Sequence, residues 1–537
     1  MKRIKPVLII LILLSLLAFS FPSGCGFAAN PAKKNVIFMI MDGTNSDIVT
    51  LSRWYKGAGL NLDKILVGGV RTYSGESAIT DSAAAGTAMA TGVKTRADHI
   101  GMSKEGKPVL TVLEAAKLSG YATGIVSTSP VQHATPAAFT SHVIDRDEFG
   151  DIGEQQVYQN LDVILGGGAA WLKPKSKNKV KNDDGMLKTK QISREDGENL
   201  LSIIKSSKSL YSFTASREGL SNSRGDGKLW GAFAEEDLAY DIDRKALKPN
   251  EPTLAEMTKA AIERLSASKK GFFLMVEGSK VDWAAHKNDP VGMISEVLSF
   301  DKAVGEALEF AERDGNTMVV AVTDHGNSGL TLGNVDTDKN YKNQPRDHFV
   351  GPLKKAEYTV KGATSLLKDD RSNLKEVLSS YGLGDLNKKE YCVMKDAKDV
   401  SDLEDEMVKL MAKRANLGFS THGHTGEDVF LYGFGPGKPS GLIENIELPR
   451  VFARYLEFSL ESFSDWYVDG EKFFKEKGYK VIIDKRDRDN PELVVSRGEE
   501  GLRFPENKNY YLRNGERVEL RSVNVYSGGR FYVHWER

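Results

Sequence analysis

Four short apolar runs, three of them ending on ionisable residues, limit what this chain can fold into. Asn35 to Met41 ends at Asp42–Gly43, Gly271 to Val276 at Glu277–Gly278, and Thr317 to Thr323 at Asp324–His325–Gly326. Tyr121 to Thr128 is the fourth. Apolar runs this short, bounded by turn residues, predict strands buried on both faces. Helical patterns lie between them: Leu110 to Ser119 precedes Tyr121, and Phe300, Val304, Ala307, Leu308 and Ala311 recur at amphipathic spacing before Thr317. This alternation predicts an α/β fold, with a central, mostly parallel sheet flanked by helices. Ligands bind such sheets beyond the C-terminal strand ends. That is where Asp42, Glu277, Asp324 and His325 fall. One acidic residue after a strand is an ordinary turn former; several at one edge point to a site.

A second stretch, Thr80 to Gly92 (TDSAAAGTAMATG), sets Asp81–Ser82 before a run of small residues able to start a tightly packed helix. A serine there lies among unpaired backbone N–H groups at the positive end of the helix dipole, suited to phosphate or to easier ionisation of its hydroxyl. Asp and Ser are also common N-caps, which accounts for the pair without chemistry. In Glu277 to His286 (EGSKVDWAAH), Asp282 and His286 are four residues apart, so a helix would bring them to one face, where they can hold a metal. Asp324–His325 and His424 are the candidate further ligands. His422, two residues earlier, points to the other face if the segment is extended. His99, His142, His348 and His534 have no such context and read as surface or core residues.

Composition narrows the chemistry. With two cysteines, Cys25 and Cys392, the chain has no disulfide framework or cysteine zinc site, so any metal must use His, Asp and Glu. A formal net charge of −1 argues against a nucleic-acid binder relying on bulk positive charge. At the start, Lys2, Arg3 and Lys5, the apolar run Val7 to Phe21 and the small residues Gly26 and Ala28 describe a signal peptide over 1–28. Cleavage after Ala28 takes the formal charge from −1 to −4. This predicts export, to the periplasm or the medium. A membrane anchor is open because the run nears spanning length; lipid attachment at Cys25 is disfavoured by Pro22. No other stretch is apolar and long enough to span a bilayer. The expected layout is a catalytic domain over 29–460 with polar insertions at about 169–248 and 335–420, then a β-rich appendage over 461–537. Short alternating runs from Lys480 onward, split by Arg513–Asn514–Gly515 and Ser527–Gly528–Gly529, define that appendage.

Taken in order, DGTN (from Asp42), TDSAAAGTAMATG, QHATPAAFTSHVIDR (from Gln132), EGSKVDWAAH, TDHG (from Thr323) and HTGED (from His424) resemble the metal-ligand, nucleophile and phosphate-binding segments of the alkaline phosphatase family. The resemblance implies that Ser82 is the nucleophile and Arg146 the phosphate-gripping residue, oriented by Asp81. It implies one zinc at Asp282, His286 and His424, and a second at Asp42, Asp324 and His325. A third, magnesium-type ion falls to Asp42, Thr135 and Glu277. His133 and Trp283 stand where some members have Asp and Lys; a histidine there favours zinc or cobalt over magnesium, or both residues simply pack against the site wall. The implied activity is hydrolysis of small phosphate monoesters through a phosphoserine, and a homodimer is left open. Sulfatases of this architecture need a modified cysteine where Ser82 stands. A phosphodiesterase of the same superfamily remains an alternative, although Arg146 suits a dianionic monoester. A Ser-His-Asp hydrolase lacks its G-x-S-x-G elbow. An inactive surface binding module is the rival from outside enzymology.

Overall fold

The computed structural model describes residues 33–174 and 196–535, except 207, 224 and 226. The segment 1–28 expected as a signal peptide, Cys25 and most of the polar stretch 173–185 lie outside the described residues.

The centre is a ten-stranded sheet. Its strands are β1 (Lys34–Met41), β2 (Leu66–Arg71), β3 (Ala122–Pro130), β4 (Val163–Gly167), β5 (Tyr211–Thr214), β6 (Lys228–Ala232), β7 (Gly271–Gly278), β8 (Thr317–Val322), β9 (Val429–Phe434) and β10 (Gly441–Glu444). They lie in the order β10-β2-β9-β8-β1-β7-β3-β4-β6-β5, and β9 alone runs against its neighbours. All four apolar runs are central strands. Their continuous hydrophobicity has a direct cause: both faces of β1 are covered. Ile37, Met39 and Met41 enter the core on one face, and Val36, Phe38 and Ile40 enter the core on the other.

Register turns this topology into a site. Ile40 of β1 pairs with Glu277 of β7 and with Val322 of β8, and Ser127 of β3 pairs with Glu277. Three adjacent parallel strands therefore end level, and Asp42 and Asp324, each two residues on from Ile40 and Val322, leave the sheet beside Glu277. The turn after β1 is closed by Gly43 at φ +65, where a Cβ would fall 2.7 Å from the Asp282 Cα. A side chain there would push β1 away from the segment carrying Asp282.

The stretch 169–248, expected as an insertion over the sheet, supplies β5 and β6, which lengthen its edge beyond β4. Four- and five-residue strands carry too little period to show in a polar sequence. The second expected insertion is largely helical and includes Val400–Arg414. Near the C-terminus, Lys480–Asp484, Glu492–Arg497, Glu500–Pro505, Tyr510–Arg513 and Glu516–Glu519 form an antiparallel five-stranded sheet. Leu493, Val495, Leu502, Phe504 and Phe531 lie in its core. Asn514 and Gly515 both have positive φ, the hairpin geometry their identities favour. No helix among the described residues is long and apolar enough to cross a membrane.

Candidate active site

Ser82 is the first residue of α1 (Ser82–Thr91), whose ten residues are all buried. Asp81 caps it: Oδ1 accepts from the Ala84 N–H at 3.0 Å. The other oxygen, Oδ2, accepts from Arg146 at 3.2 Å and from the Asp98 N–H at 3.1 Å. The helix cap and the Arg146 pairing thus use different oxygens of one carboxylate. Gly92 ends the helix at φ +77. Ala and Gly along α1 let the helix approach Ala134–Ala137 closely; a Cβ on Gly86 would fall 2.9 Å from the Ala138 Cβ.

Ser82 Oγ stands 3.0 Å from His325 Nε2. Around it, α2 (Lys280–His286) places Asp282 and His286 one turn apart, with Asp282 Oδ2 3.4 Å from His286 Nε2. His424 Nε2 lies 3.2 Å from His286 Nε2 and 3.7 Å from Asp282 Oδ1. Ligand atoms of Asp282, His286 and His424 fall within 4.8 Å of one another, as do those of Asp42, Asp282 and His325, so Asp282 belongs to both groups. Asp324 Oδ2 is 3.1 Å from His325 Nε2. Ser82, His325 and Asp324 do not form a hydrolase triad. The carboxylate meets the same ring nitrogen as the serine, while His325 Nδ1 faces the Gly326 carbonyl.

The donor set fits divalent cations. His325 Nδ1 is tied to the Gly326 carbonyl, His286 Nδ1 to that of His422, and His424 Nδ1 to that of Thr80. Each bond sets a tautomer that leaves Nε2 as the coordinating nitrogen. The carboxylates follow the same plan: Asp42 Oδ1 and Glu277 Oε1 are buried and have no hydrogen-bond partner, and buried Asp324 Oδ2 has only the His325 ring nitrogen beside it at 3.1 Å. Their sister oxygens are held, Asp324 Oδ1 by the Gly43 and His325 N–H groups and Glu277 Oε2 by the Ser127 hydroxyl. Burial and the nearby Asp324, Asp282 and Glu277 charges hold the Asp42 carboxyl well above its ordinary value. Burial pushes Glu277 up to about 7, against the Ser127 and Ser279 hydroxyls. At His325 burial is outweighed by Asp324 and Asp282, which carry the imidazole up to about 9. Burial and the His325 charge push His424 down to about 4. This much negative charge in a dry site calls for cations.

A family model described as alkaline phosphatase matches residues 33–458, most of the chain. The chain belongs to the alkaline phosphatase family. Alkaline phosphatase 4 of Bacillus subtilis is 35% identical over 445 residues, covering 79% of this chain and 89% of its own. Among solved structures, Thermus thermophilus alkaline phosphatase superposes with a TM-score of 0.69 at 26% identity, over 82% of this chain and 96% of that one. A histidine-to-aspartate mutant of TAB5 alkaline phosphatase, with magnesium bound in its M3 site, superposes at 0.57 and 26% identity over 80% and 99%. Membership makes this protein a metal-dependent phosphatase acting on phosphate monoesters.

Every residue singled out by the alkaline phosphatase resemblance lies in this one region. Thr135 Oγ1 donates to Asp42 Oδ2 at 3.4 Å. His133 Nε2 is 3.4 Å from an Arg146 nitrogen, and its ring meets that of Trp283 edge-on at 5.6 Å between centroids. Burial and the Arg146 charge push His133 down to about 3, so its ring is neutral and able to ligate. The supporting groups escaped the sequence reading. Asn327 donates to Asp282 Oδ1 at 2.6 Å, Ser127 and Ser129 hold Glu277, and His422 supports His286 through its carbonyl rather than competing with His424. Backbone carbonyls leave no mark in a sequence. Ser127 could have been found as the polar residue next to last in the apolar run Tyr121 to Thr128, level with Glu277.

Proposed function

We propose that the protein hydrolyses phosphate monoesters to alcohol and inorganic phosphate through a phosphoserine at Ser82. One observation carries the reading: the buried Ser82 hydroxyl opens a helix and stands 3.0 Å from His325 Nε2, among carboxylates with unpartnered oxygens. Asp282, His286 and His424 would hold one zinc, and Asp42, Asp324 and His325 the second. Asp42, Thr135 and Glu277, an all-oxygen set, would suit a magnesium ion. Bound cations would ease ionisation of the serine hydroxyl and neutralise the attacking and leaving oxygens. The chain's own residues do the rest. The N-terminal N–H groups of α1 favour negative charge at Ser82. Arg146, held by Asp81 at 3.2 Å, offers a planar fork to the non-bridging phosphate oxygens. The body of the alcohol is not gripped by these groups, so specificity among monoesters is broad. His133, standing where some members have Asp, would tilt the third site toward zinc or cobalt; magnesium in the aspartate mutant of the TAB5 relative supports that link. Residues 1–28 would direct export to the periplasm or the medium.

The test is the purified chain on a chromogenic monoester, a diester and a sulfate ester at pH 7 to 10. Chelation and separate return of zinc, magnesium and cobalt follow, with metal analysis of the untreated protein. Chelator-sensitive monoesterase activity with two zinc ions and one further ion per chain is expected. Faster diester cleavage would move the assignment to a phosphodiesterase, and inactivity with every metal would favour a binding module.

A further inference from the structure

Arg146 lies on a segment without regular secondary structure, and the C-terminal β-rich stretch braces that segment from behind. Four residues before Arg146, His142 is completely buried against Glu114, with 3.0 Å between Nε2 and Oε1. Its other nitrogen, Nδ1, faces the Gly101 carbonyl at 2.8 Å. Both partners offer acceptor oxygens, so the ring can donate from both nitrogens, as an imidazolium paired with a carboxylate. Gly101 is required here: at φ +59, a Cβ would fall 2.2 Å from the Ser141 carbonyl oxygen. Gln155 completes the grip, accepting from the His142 N–H at 2.7 Å and donating to its carbonyl at 3.1 Å.

The C-terminal stretch holds the holders. Asn507 accepts from Gln155 Nε2 at 2.9 Å and donates to Asp151 Oδ1 at 3.1 Å. Its own backbone is fixed by the Asn524 carbonyl at 2.9 Å. Tyr467 donates to Glu114 at 3.4 Å and meets the His142 ring edge-on at 5.1 Å between centroids. Lys508 pairs with Glu154 and, at 2.7 Å, with Glu198. Glu154, Asp196 and Glu198 are grouped closely enough to suggest a cation site, and the Lys508 ammonium already pairs with two of the three, Glu154 and Glu198. Tyr467, Val523, Val525 and Tyr532 also share one apolar cluster with Leu110 and Ala115, which flank Glu114. A free-standing appendage would keep its polar groups for itself or for solvent; here Asn507 and Tyr467 are buried and aimed at the supports of one loop.

We propose that the C-terminal β-rich stretch is a positioning clamp for Arg146, acting through Asn507–Gln155–His142 and Tyr467–Glu114–His142. The clamp rests on the reading that Arg146 grips phosphate. It makes Asn507 and Tyr467 positioning residues: they touch no substrate and fix where the guanidinium stands.

The test is a double-mutant cycle on the metal-loaded full chain, with inorganic phosphate as the probe. Binding is measured by calorimetry and by competitive inhibition. Asn507→Ala is made in the wild type and in Arg146→Ala, and Tyr467→Phe, which removes only a hydroxyl, takes its place should the alanine variant fail to fold. The expected result is phosphate binding weakened roughly 3- to 30-fold, the scale of coupling within one hydrogen-bond network. Metal content should be unchanged, and the loss should disappear in the Arg146→Ala background. Folded variants that bind phosphate like the wild type would overturn the clamp. So would an equal loss with and without Arg146, which would place the effect elsewhere. Arg146→Ala binding phosphate normally would remove the arginine's role itself, and the clamp with it.

Discussion

Asn327→Ala separates metal retention from chemistry. Asn327 is fully buried, and its side-chain amide donates to Asp282 Oδ1 at 2.6 Å. Asp282 is the carboxylate shared by both ligand groups. A hydrogen bond to a charged group contributes about 1.5–3 kcal/mol, and losing a supporting group beside a metal ligand typically costs about 10- to 100-fold in affinity. The two estimates agree, because 1.4 kcal/mol is about tenfold. The same truncation strips the Ser328 N–H of its acceptor, the Asn327 Oδ1, adding roughly 1–3 kcal/mol of metal-independent destabilisation. Competition with a chromogenic chelator reads the first effect, and thermal unfolding in excess chelator reads the second. The variant should release zinc about 10- to 100-fold more readily, yet regain nearly wild-type kcat when zinc saturates. Zinc affinity within twofold of wild type would refute the reasoning, as would a kcat loss that saturating zinc does not repair.

His142→Gln should flatten the alkaline side of the stability profile. Despite burial, Glu114 holds His142 above its ordinary 6.5, and despite burial His142 holds Glu114 below its ordinary 4.5. The stabilisation is therefore whole between 4.5 and 6.5 and fades as pH rises through the raised His142 value or falls through the lowered Glu114 value. In thermal scans the gap between wild type and variant should shrink as pH climbs above 6.5; a gap constant from there to pH 10 would contradict the pairing. His133→Asp should shift the ion that best restores chelated protein toward magnesium, read by metal analysis after reconstitution with equal zinc and magnesium. An unchanged ratio would leave His133 a packing residue.

The sheet and the site were legible to different degrees, for physical reasons. Strands buried on both faces must be continuously apolar, so β1, β3, β7 and β8 stood out, and their shared register put Asp42, Glu277 and Asp324 at one edge. The hairpin turns at Asn514–Gly515 and Gly528–Gly529 announced themselves because positive φ restricts residue choice. β5 and β6 were missed because neighbouring strands, not their own period, place them in the sheet. At the site, side-chain ligands were readable. The carbonyls of Gly326, His422 and Thr80 were not, since any residue offers one. His142, set aside as a surface or core residue, is indeed buried, yet its two acceptors make it a charged support of the Arg146 segment. That depends on Gly101 and Glu114, 41 and 28 residues away along the chain.

The most direct measurement traps the enzyme in mid-reaction. Metal-loaded wild type is mixed with a phosphate monoester at mildly acidic pH and quenched in strong acid within milliseconds to seconds. The digest is then read by mass spectrometry for a phosphate on the peptide spanning Ser82. A phosphoserine at Ser82 that forms with wild type, turns over, and is absent from Ser82→Ala is the expected result. Phosphate on another residue, or full monoesterase activity in Ser82→Ala, would contradict the phosphoserine mechanism.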